Sequence, residues 1–377
     1  MRSAKHIVFL ESEDWAFCQH RLPLARAARD AGYRVSLVAP AGERVEEIRA
    51  EGFGFEPLRM RRTGTSPLAE ARSVGEIARI YRRIRPDLVH QIAIKPVLYG
   101  TIAARLAGVP AVVNSITGLG YAFIGDSMKR RALRQVISTM LRSALATRRV
   151  RCVFQNPDDR DVFVSRRLVD PSRTVIVRGS GVDTDRFAPA PEPPGVPIVL
   201  LASRLLWDKG IGELIEAVRN LKAEGLTFRL ILAGTPDPAN PASIPQATLS
   251  AWEREGLVEL PGFVRDMAPL LRQSHIACLP SYREGLPLFL LEAAATGLPC
   301  VTTDVPGCRE AVLHGQNGLL VPVRTVAPLA NALRTLLADT TLRRNMGHRG
   351  RALALEHFAV SVVVRGIFEV YGALLRT

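Results

Sequence analysis

Glu284 and Glu292 stand with seven residues between them, and the second falls inside the apolar run 286–295. The stretch Ile276–Pro280 predicts a buried strand. A turn then leads into a helix whose first turn holds Pro287. An unpaired buried carboxylate costs several kcal/mol or shifts its pKa. No Lys or Arg lies three or four positions from Glu292 to pair with it. A ligand's hydroxyl pair is a natural partner. The free N–H groups at the start of the helix and its positive end favour phosphate in the same loop. A carboxylate for a sugar diol beside an anion cradle points to a nucleotide or nucleotide-sugar site.

Arg204 and Lys209 form a second unit, on a loop that follows the apolar run Ile198–Ala202 and enters a helix through Gly210. A guanidinium fork and an ammonium aimed at one spot suit a diphosphate, because each makes charge-assisted hydrogen bonds. Taken alone, the two are equally well explained as surface cations near a turn. Paired with the Glu284–Glu292 unit, they favour a common site on one domain.

Positioning these loops requires parallel sheets. Strands are expected at Ile7–Leu10, Val35–Ala39, Leu88–His90, Ala111–Asn114, Val150–Gln155 and Thr174–Arg178. A second set is expected at Ile198–Ala202, Phe228–Ala233, Val258–Leu260, Ile276–Leu279, Cys300–Thr303 and Leu319–Val321. Near-continuous apolar strands alternating with helical patterns imply sheets covered on both faces. The Pro-dense residues Ala188–Pro197 suit a joint. The expected fold is α/β, with two doubly wound Rossmann-like domains facing a cleft. Ligands in such sheets bind beyond the carboxyl ends of the strands.

The 377 residues are long enough for two domains, and 47% hydrophobic with 23% charged residues describes a folded protein. Five cysteines without CxxC spacing suit a reducing cytosol. The N-terminus lacks a signal-peptide pattern, and no apolar run is long enough to span a bilayer. A net charge of +14 asks for an anionic partner. Neither a zinc spacing nor an RNP-like aromatic motif supports nucleic acid. Cations instead gather around residues 59–85, with Arg61, Arg62, Arg72, Arg79, Arg82 and Arg83. They gather again around 128–150, with Lys129, Arg130, Arg131, Arg134, Arg142, Arg148 and Arg149 beside an apolar stripe of Leu133, Val136, Ile137, Met140, Leu141 and Leu145. A core-packing helix with a solvated basic face is one reading. A helix against an anionic leaflet, each cation contributing roughly 1 kcal/mol, is the favoured one.

Two motifs mislead. Gly118-Leu-Gly120 lacks the third glycine of a dinucleotide fingerprint and does not close the first βα turn. The acids Asp158, Asp159 and Asp161 resemble a metal site, but Asn156-Pro157 ahead of them marks a helix start.

Ser203-Arg204, Lys209-Gly210, the Glu284–Glu292 spacing and Gly318–Pro322 together resemble family 4 glycosyltransferases, retaining enzymes of GT-B fold. The likeness spans essentially the whole chain. It implies residues 1–187 as an acceptor-binding domain, 188–197 as linker and 198–355 as a nucleotide-sugar domain. Residues 356–377 would be a helix packing back on the first. It further implies that Arg204 and Lys209 hold the donor diphosphate, Glu292 the ribose hydroxyls and Glu284 the transferred sugar. Gly285, Leu286, Pro287 and Leu288 would cradle phosphate, and backbone near Phe263 and Val264 would read the base. No metal and no cofactor is implied beyond the nucleotide-sugar substrate.

A narrower likeness is to bacterial transferases that extend polyprenyl-diphosphate-linked sugars, often with N-acetylgalactosamine from a UDP donor. It rests on His20-Arg21-Leu-Pro23, Thr117–Tyr121, Gly179–Asp183 and Ser203–Gly210. It makes His20, Arg21, Thr117 and Gly118 acceptor-side candidates. The protein would then sit in the cytoplasm, peripheral on the inner face of the plasma membrane. His90 reads equally as a site or a structural histidine, and Lys95 as a surface residue. Glu11, Asp14 and Trp15 stand where some relatives carry phosphate-approaching glycines. The competing functions are a nucleotide-sugar epimerase or hydrolase, and a non-catalytic nucleotide-sugar-binding scaffold.

Overall fold

The computed structural model describes residues 4–60, 66–118 and 128–376, without the side chains of 128–130, 132 and 133. Two compact units divide the chain, one of Met1–Ser180 with Val363–Thr377, the other of Gly181–Val362.

Among the described residues, the first unit holds seven parallel strands: β1 (His6–Leu10), β2 (Arg34–Ala39), β3 (Gly54–Pro57), β4 (Leu88–Ile92), β5 (Ala111–Ile116), β6 (Val150–Phe154) and β7 (Thr174–Ile176). Their order is β3-β2-β1-β4-β5-β6-β7. Alternate residues of β1 serve opposite layers. Val8 and Leu10 join one core, Ile7 and Phe9 the other, as the strand's two-residue period requires. The edge strand β3 escapes the sequence pattern because none of its residues is fully buried and it ends in proline, which an edge strand tolerates.

The second unit holds β8 (Ile198–Ala202), β9 (Arg229–Ala233), β10 (Glu259–Gly262), β11 (Ile276–Leu279), β12 (Cys300–Thr303) and β13 (Gly318–Val321), in the order β10-β9-β8-β11-β12-β13. The strand order reverses between β8 and β11, the crevice where doubly wound sheets bind ligands. The loops carrying Arg204 and Glu284 leave these two strands.

The Pro-dense residues expected as a joint lie inside the second unit and are tied down there. Glu192 accepts from Nη2 of the nearly buried Arg343 at 2.8 Å, and His275 Nε2 reaches Pro193 O at 3.0 Å. Arg343 also donates to Leu336 O at the end of the helix Val326–Ala338. In the first unit, the helix Val360–Leu375 brings the Tyr371 hydroxyl to His90 Nδ1 at 2.7 Å, while His90 Nε2 meets Ser115 Oγ at 2.7 Å. His90 is thus a satisfied structural histidine. Arg343→Ala, by leaving Glu192 and two helix-end carbonyls without their donor, is expected to cost about 3 kcal/mol in a urea unfolding titration.

Candidate functional site

Glycines set the geometry of the β8 and β11 loops. Gly210 adopts φ +69°, and a Cβ there would lie 2.1 Å from Pro280 O. Only glycine lets the Lys209 turn rest on the end of β11. Tyr282 N then donates to Asp208 O at 2.9 Å, and the Tyr282 hydroxyl to Glu213 Oε1 at 2.7 Å. The Arg324 guanidinium lies 4.5 Å from the centre of the Tyr282 ring. With the loops joined this way, Lys209 Nζ donates to Glu284 Oε1 at 2.5 Å, and Ser281 Oγ donates to the same oxygen at 2.6 Å. Gly307, at φ +80°, backs onto Glu284 and Gly285, where a Cβ would meet Gly285 O at 2.5 Å.

Arg204 is half-exposed, and its Nη1 donates to Asp237 Oδ2 at 2.7 Å. Asp237 comes from the loop after β9, which docks along the Arg204 loop. Leu205 N bonds Thr235 O at 3.0 Å and Trp207 N bonds Ala242 O at 2.8 Å. Gly234 permits the approach, since a Cβ there would stand 1.9 Å from Ser203 O. Sequence reasoning missed Asp237, Gly234 and Gly307. The signal for Asp237 was a Pro-rich loop, 235–245, following the strand beside the switch point.

Glu292 lies in the helix Leu288–Thr296, whose first turn does not include Pro287 as expected. Pro287 takes an extended ψ of 113° and is the N-cap, without a side-chain cap bond. An extended residue cannot belong to the first turn, so Pro287 instead aims the loop into the helix. Glu292 is partly buried, and desolvation pushes its carboxyl up to about 8, with Arg186 opposing and Asp266 reinforcing the shift. Arg186 spends its Nη2 on Asp266 at 2.9 Å. Among the described residues no hydrogen bond to the Glu292 carboxylate is formed. It is an acceptor without a donor. Phe263, just past β10, is 69% exposed, while Val264 packs partly against the core. Gly285 and Leu288 are half-buried, Leu286 and Pro287 buried.

In the first unit, His20 ends the helix Asp14–His20, and Arg21 joins it to the helix Leu22–Asp30. Arg21 is only 4% exposed and its Nε has no hydrogen-bond partner. Buried Glu11, directly after β1, is pushed up to about 8 by desolvation, which the Arg21 charge opposes. Burial, then Arg21, holds the His20 imidazole down at about 4. Thr117 and Gly118 follow β5, half-buried; Leu119–Tyr121 of their motif lie outside the described residues. Lys95 is no free surface residue, since it donates to Glu70 Oε1 at 2.8 Å and is largely buried.

The apolar stripe expected around 128–150 divides. On the helix Met128–Leu145, Leu141 and Leu145 are buried, but Val136 is 58% and Met140 40% exposed. The contacts that bury the first two leave the last two on an outer face. The side chains of Leu133, Lys129 and Arg130, and all of Arg61 and Arg62, lie outside the described residues. The Asp158–Asp161 cluster serves its helix, as Asn156 Oδ1 accepts from Asp159 N at 2.7 Å. No group of three or more His, Cys, Asp or Glu side chains among the described residues is placed to hold a metal.

Two doubly wound sheets, one with cations and carboxylates at its switch point, define the GT-B class of glycosyltransferases. Residues 196–339 match the family described as glycosyl transferases group 1, and residues 6–154 match glycosyl transferase 4-like. The chain belongs to the family 4 glycosyltransferases.

It is 24% identical to the N,N'-diacetylbacillosaminyl-diphospho-undecaprenol alpha-1,3-N-acetylgalactosaminyltransferase of Campylobacter jejuni, covering 98% of this chain and 99% of that one. It is 26% identical to the UDP-Gal:alpha-D-GlcNAc-diphosphoundecaprenol alpha-1,3-galactosyltransferase of Escherichia coli, covering 74% and 73%. Among solved structures, Anabaena HepE in complex with UDP-glucose superposes with a TM-score of 0.77 at 21% identity, over 98% of this chain and 99% of that one. Sucrose-phosphate synthase of Thermosynechococcus elongatus gives 0.82 at 19%, over 99% of both. These structural likenesses establish the fold.

Two outcomes test the local physics. The folded Glu292 carboxyl holds its proton up to about 8 against an ordinary 4.5, so between those values the unfolded state ionises while the folded state does not, and stability falls progressively as pH rises. Glu292→Gln is expected to exceed the parent in stability by about 1–3 kcal/mol at pH 8.5, the two converging toward pH 4.5 in parallel thermal melts. Gly210→Ala is expected to lose about 2 kcal/mol and most of its turnover, because both the positive φ and Pro280 O refuse a methyl group.

Proposed function

We propose that this glycosyltransferase moves a hexose or N-acetylhexosamine, with retention, from a UDP-sugar to a polyprenyl-diphosphate-linked saccharide. The observation that carries the reading is the pairing of Lys209 with Glu284 where the β8 and β11 loops meet at the switch point, with Arg204 on the same β8 loop, in the unit that also holds the donor-less Glu292 side chain. A nucleotide sugar offers phosphate oxygens that the two cations can take in place of their carboxylate partners, and a ribose diol for Glu292. The Campylobacter and Escherichia relatives, named for diphospho-undecaprenol-linked substrates, support the acceptor class. Anabaena HepE, solved with UDP-glucose, supports uridine.

The leaving group is a nucleoside diphosphate, so the transition state is helped by neutralising the departing phosphate. Arg204, Lys209 and the first-turn N–H groups after Pro287 supply that neutralisation without a divalent metal or added cofactor. Glu284, held by Lys209 and Ser281, faces the transferred sugar and eases positive charge at the anomeric carbon. The acceptor attacks the face that the leaving group vacates, and a phosphate oxygen takes its proton. Phe263 and Val264 flank the base. His20, Arg21, Thr117 and Gly118 belong to the acceptor side, with Arg21 acting from a buried position.

Docking on the inner face of the plasma membrane rests on the helices Pro67–Ile84 and Met128–Leu145. Leu68, Val136 and Met140 are exposed there beside exposed Arg72, Arg79, Arg82 and Arg131. Apolar anchors within a cationic field suit an anionic leaflet. No helix among the described residues is long and apolar enough to cross a membrane.

The test is a panel of UDP- and GDP-sugars with a polyprenyl-diphosphate saccharide acceptor, product configuration being read by NMR. Transfer from a UDP-sugar with retained configuration is expected, unaffected by a chelator. Arg204→Ala and Lys209→Ala are each expected to lower turnover about a hundredfold, on the order of 3 kcal/mol, with little change in melting temperature. Full activity in both variants would refute the donor-site assignment.

A further inference from the structure

We propose that Asp237 is the counter-ion that Arg204 exchanges for the donor diphosphate, so that its carboxylate promotes departure of the nucleoside diphosphate product. The inference rests on the reading of Arg204 as a diphosphate ligand and adds a residue that this reading does not use.

Arg204 donates through Nη1 to Asp237 Oδ2 at 2.7 Å, and the Asp237 side chain is only 15% exposed. A guanidinium binds carboxylate and phosphate through the same fork of donors. The two anions therefore compete for Arg204. Lys209 is placed the same way, since it gives its ammonium to Glu284. Glu284 belongs to the site's own loop, however, while Asp237 arrives from another strand.

The pair is not needed to hold the Asp237 loop in place. Backbone bonds from Leu205 N to Thr235 O, Trp207 N to Ala242 O and Ile244 N to Leu205 O dock it, and Ser243 Oγ accepts from Asp237 N at 3.0 Å. An ion pair with one half-exposed partner contributes little to folding. What it does control is the free energy of leaving Arg204 without an anion. With Asp237 present, nucleotide departure is met by a replacement carboxylate. Without it, departure strands the cation.

Asp237 is accordingly a positioning residue, and removing its charge strengthens nucleotide binding. Asp237→Asn in the full-length protein is expected to bind UDP about threefold to tenfold more tightly by calorimetry. Its kcat should fall together with the KM for the donor, and product inhibition by UDP should deepen. Asp237→Glu, which keeps the charge, is expected to stay near the parent. A melting curve within a few degrees of the parent confirms that Asp237→Asn is folded. Unchanged or weaker UDP binding in a folded Asp237→Asn protein overturns the proposal, because it makes the carboxylate a brace that orients Arg204 for phosphate. Arg204→Ala separates the two levels. If Arg204→Ala leaves UDP affinity unchanged, the donor-site reading itself fails. If Arg204→Ala weakens binding while Asp237→Asn does not tighten it, only the exchange fails.

Discussion

The close approach of Gly210 to Pro280 O is the constraint on which the second unit's chemistry depends. It places the end of one central strand's loop against the beginning of another's, across the point where the sheet's strand order reverses. The ion pair between Lys209 and Glu284 follows from that approach, as do the bond from Tyr282 to Asp208 and the seating of the Arg324 guanidinium on the Tyr282 ring. Gly234 and Gly307 repeat the device on either side. Charged side chains are thus held by backbone proximity rather than by their own rotamers, which keeps long, flexible groups on target.

Pairing sets the energetics of the site. Lys209 and Arg204 are each matched with an acid, whereas the partly buried Glu292 has no hydrogen-bond donor among the described residues. On the proposed reading, the cations trade one anion for another, and a ligand's hydroxyls relieve the desolvation cost that Glu292 carries. On that reading stability and recognition are opposed at this one position, as is common where a fold sacrifices local satisfaction for binding.

Much of this was legible in the residues. Among the described residues the apolar runs located twelve of thirteen strands, most of them buried on both faces, which leaves a continuous signature. The edge strand β3, of exposed and half-buried residues, left none. Glu292 was conspicuous for the same reason, as a charge interrupting such a run. The contacts of Asp237, Gly307 and Gly234 were not legible, since each depends on which loops meet in space. The Pro-dense stretch misled because proline density reports that an element cannot continue. It does not report whether the backbone is free, and there Arg343 and His275 hold it. The helix Met128–Leu145 was legible only in part: helical periodicity marks an apolar face, but only neighbouring elements decide how much of it is covered, and here Leu141 and Leu145 are buried while Val136 and Met140 are exposed.

The link between His90 and Tyr371 bears on the order in which the protein is made. His90 lies at the centre of the first sheet, wholly enclosed, and its partner hydroxyl is supplied by a residue 281 positions later. During synthesis on a ribosome, the first sheet therefore emerges long before the helix that completes its core. Domains that fold as they emerge normally do so from the N-terminus onward. Here the earlier half must wait, with an apolar layer uncovered, until the whole second unit has been translated.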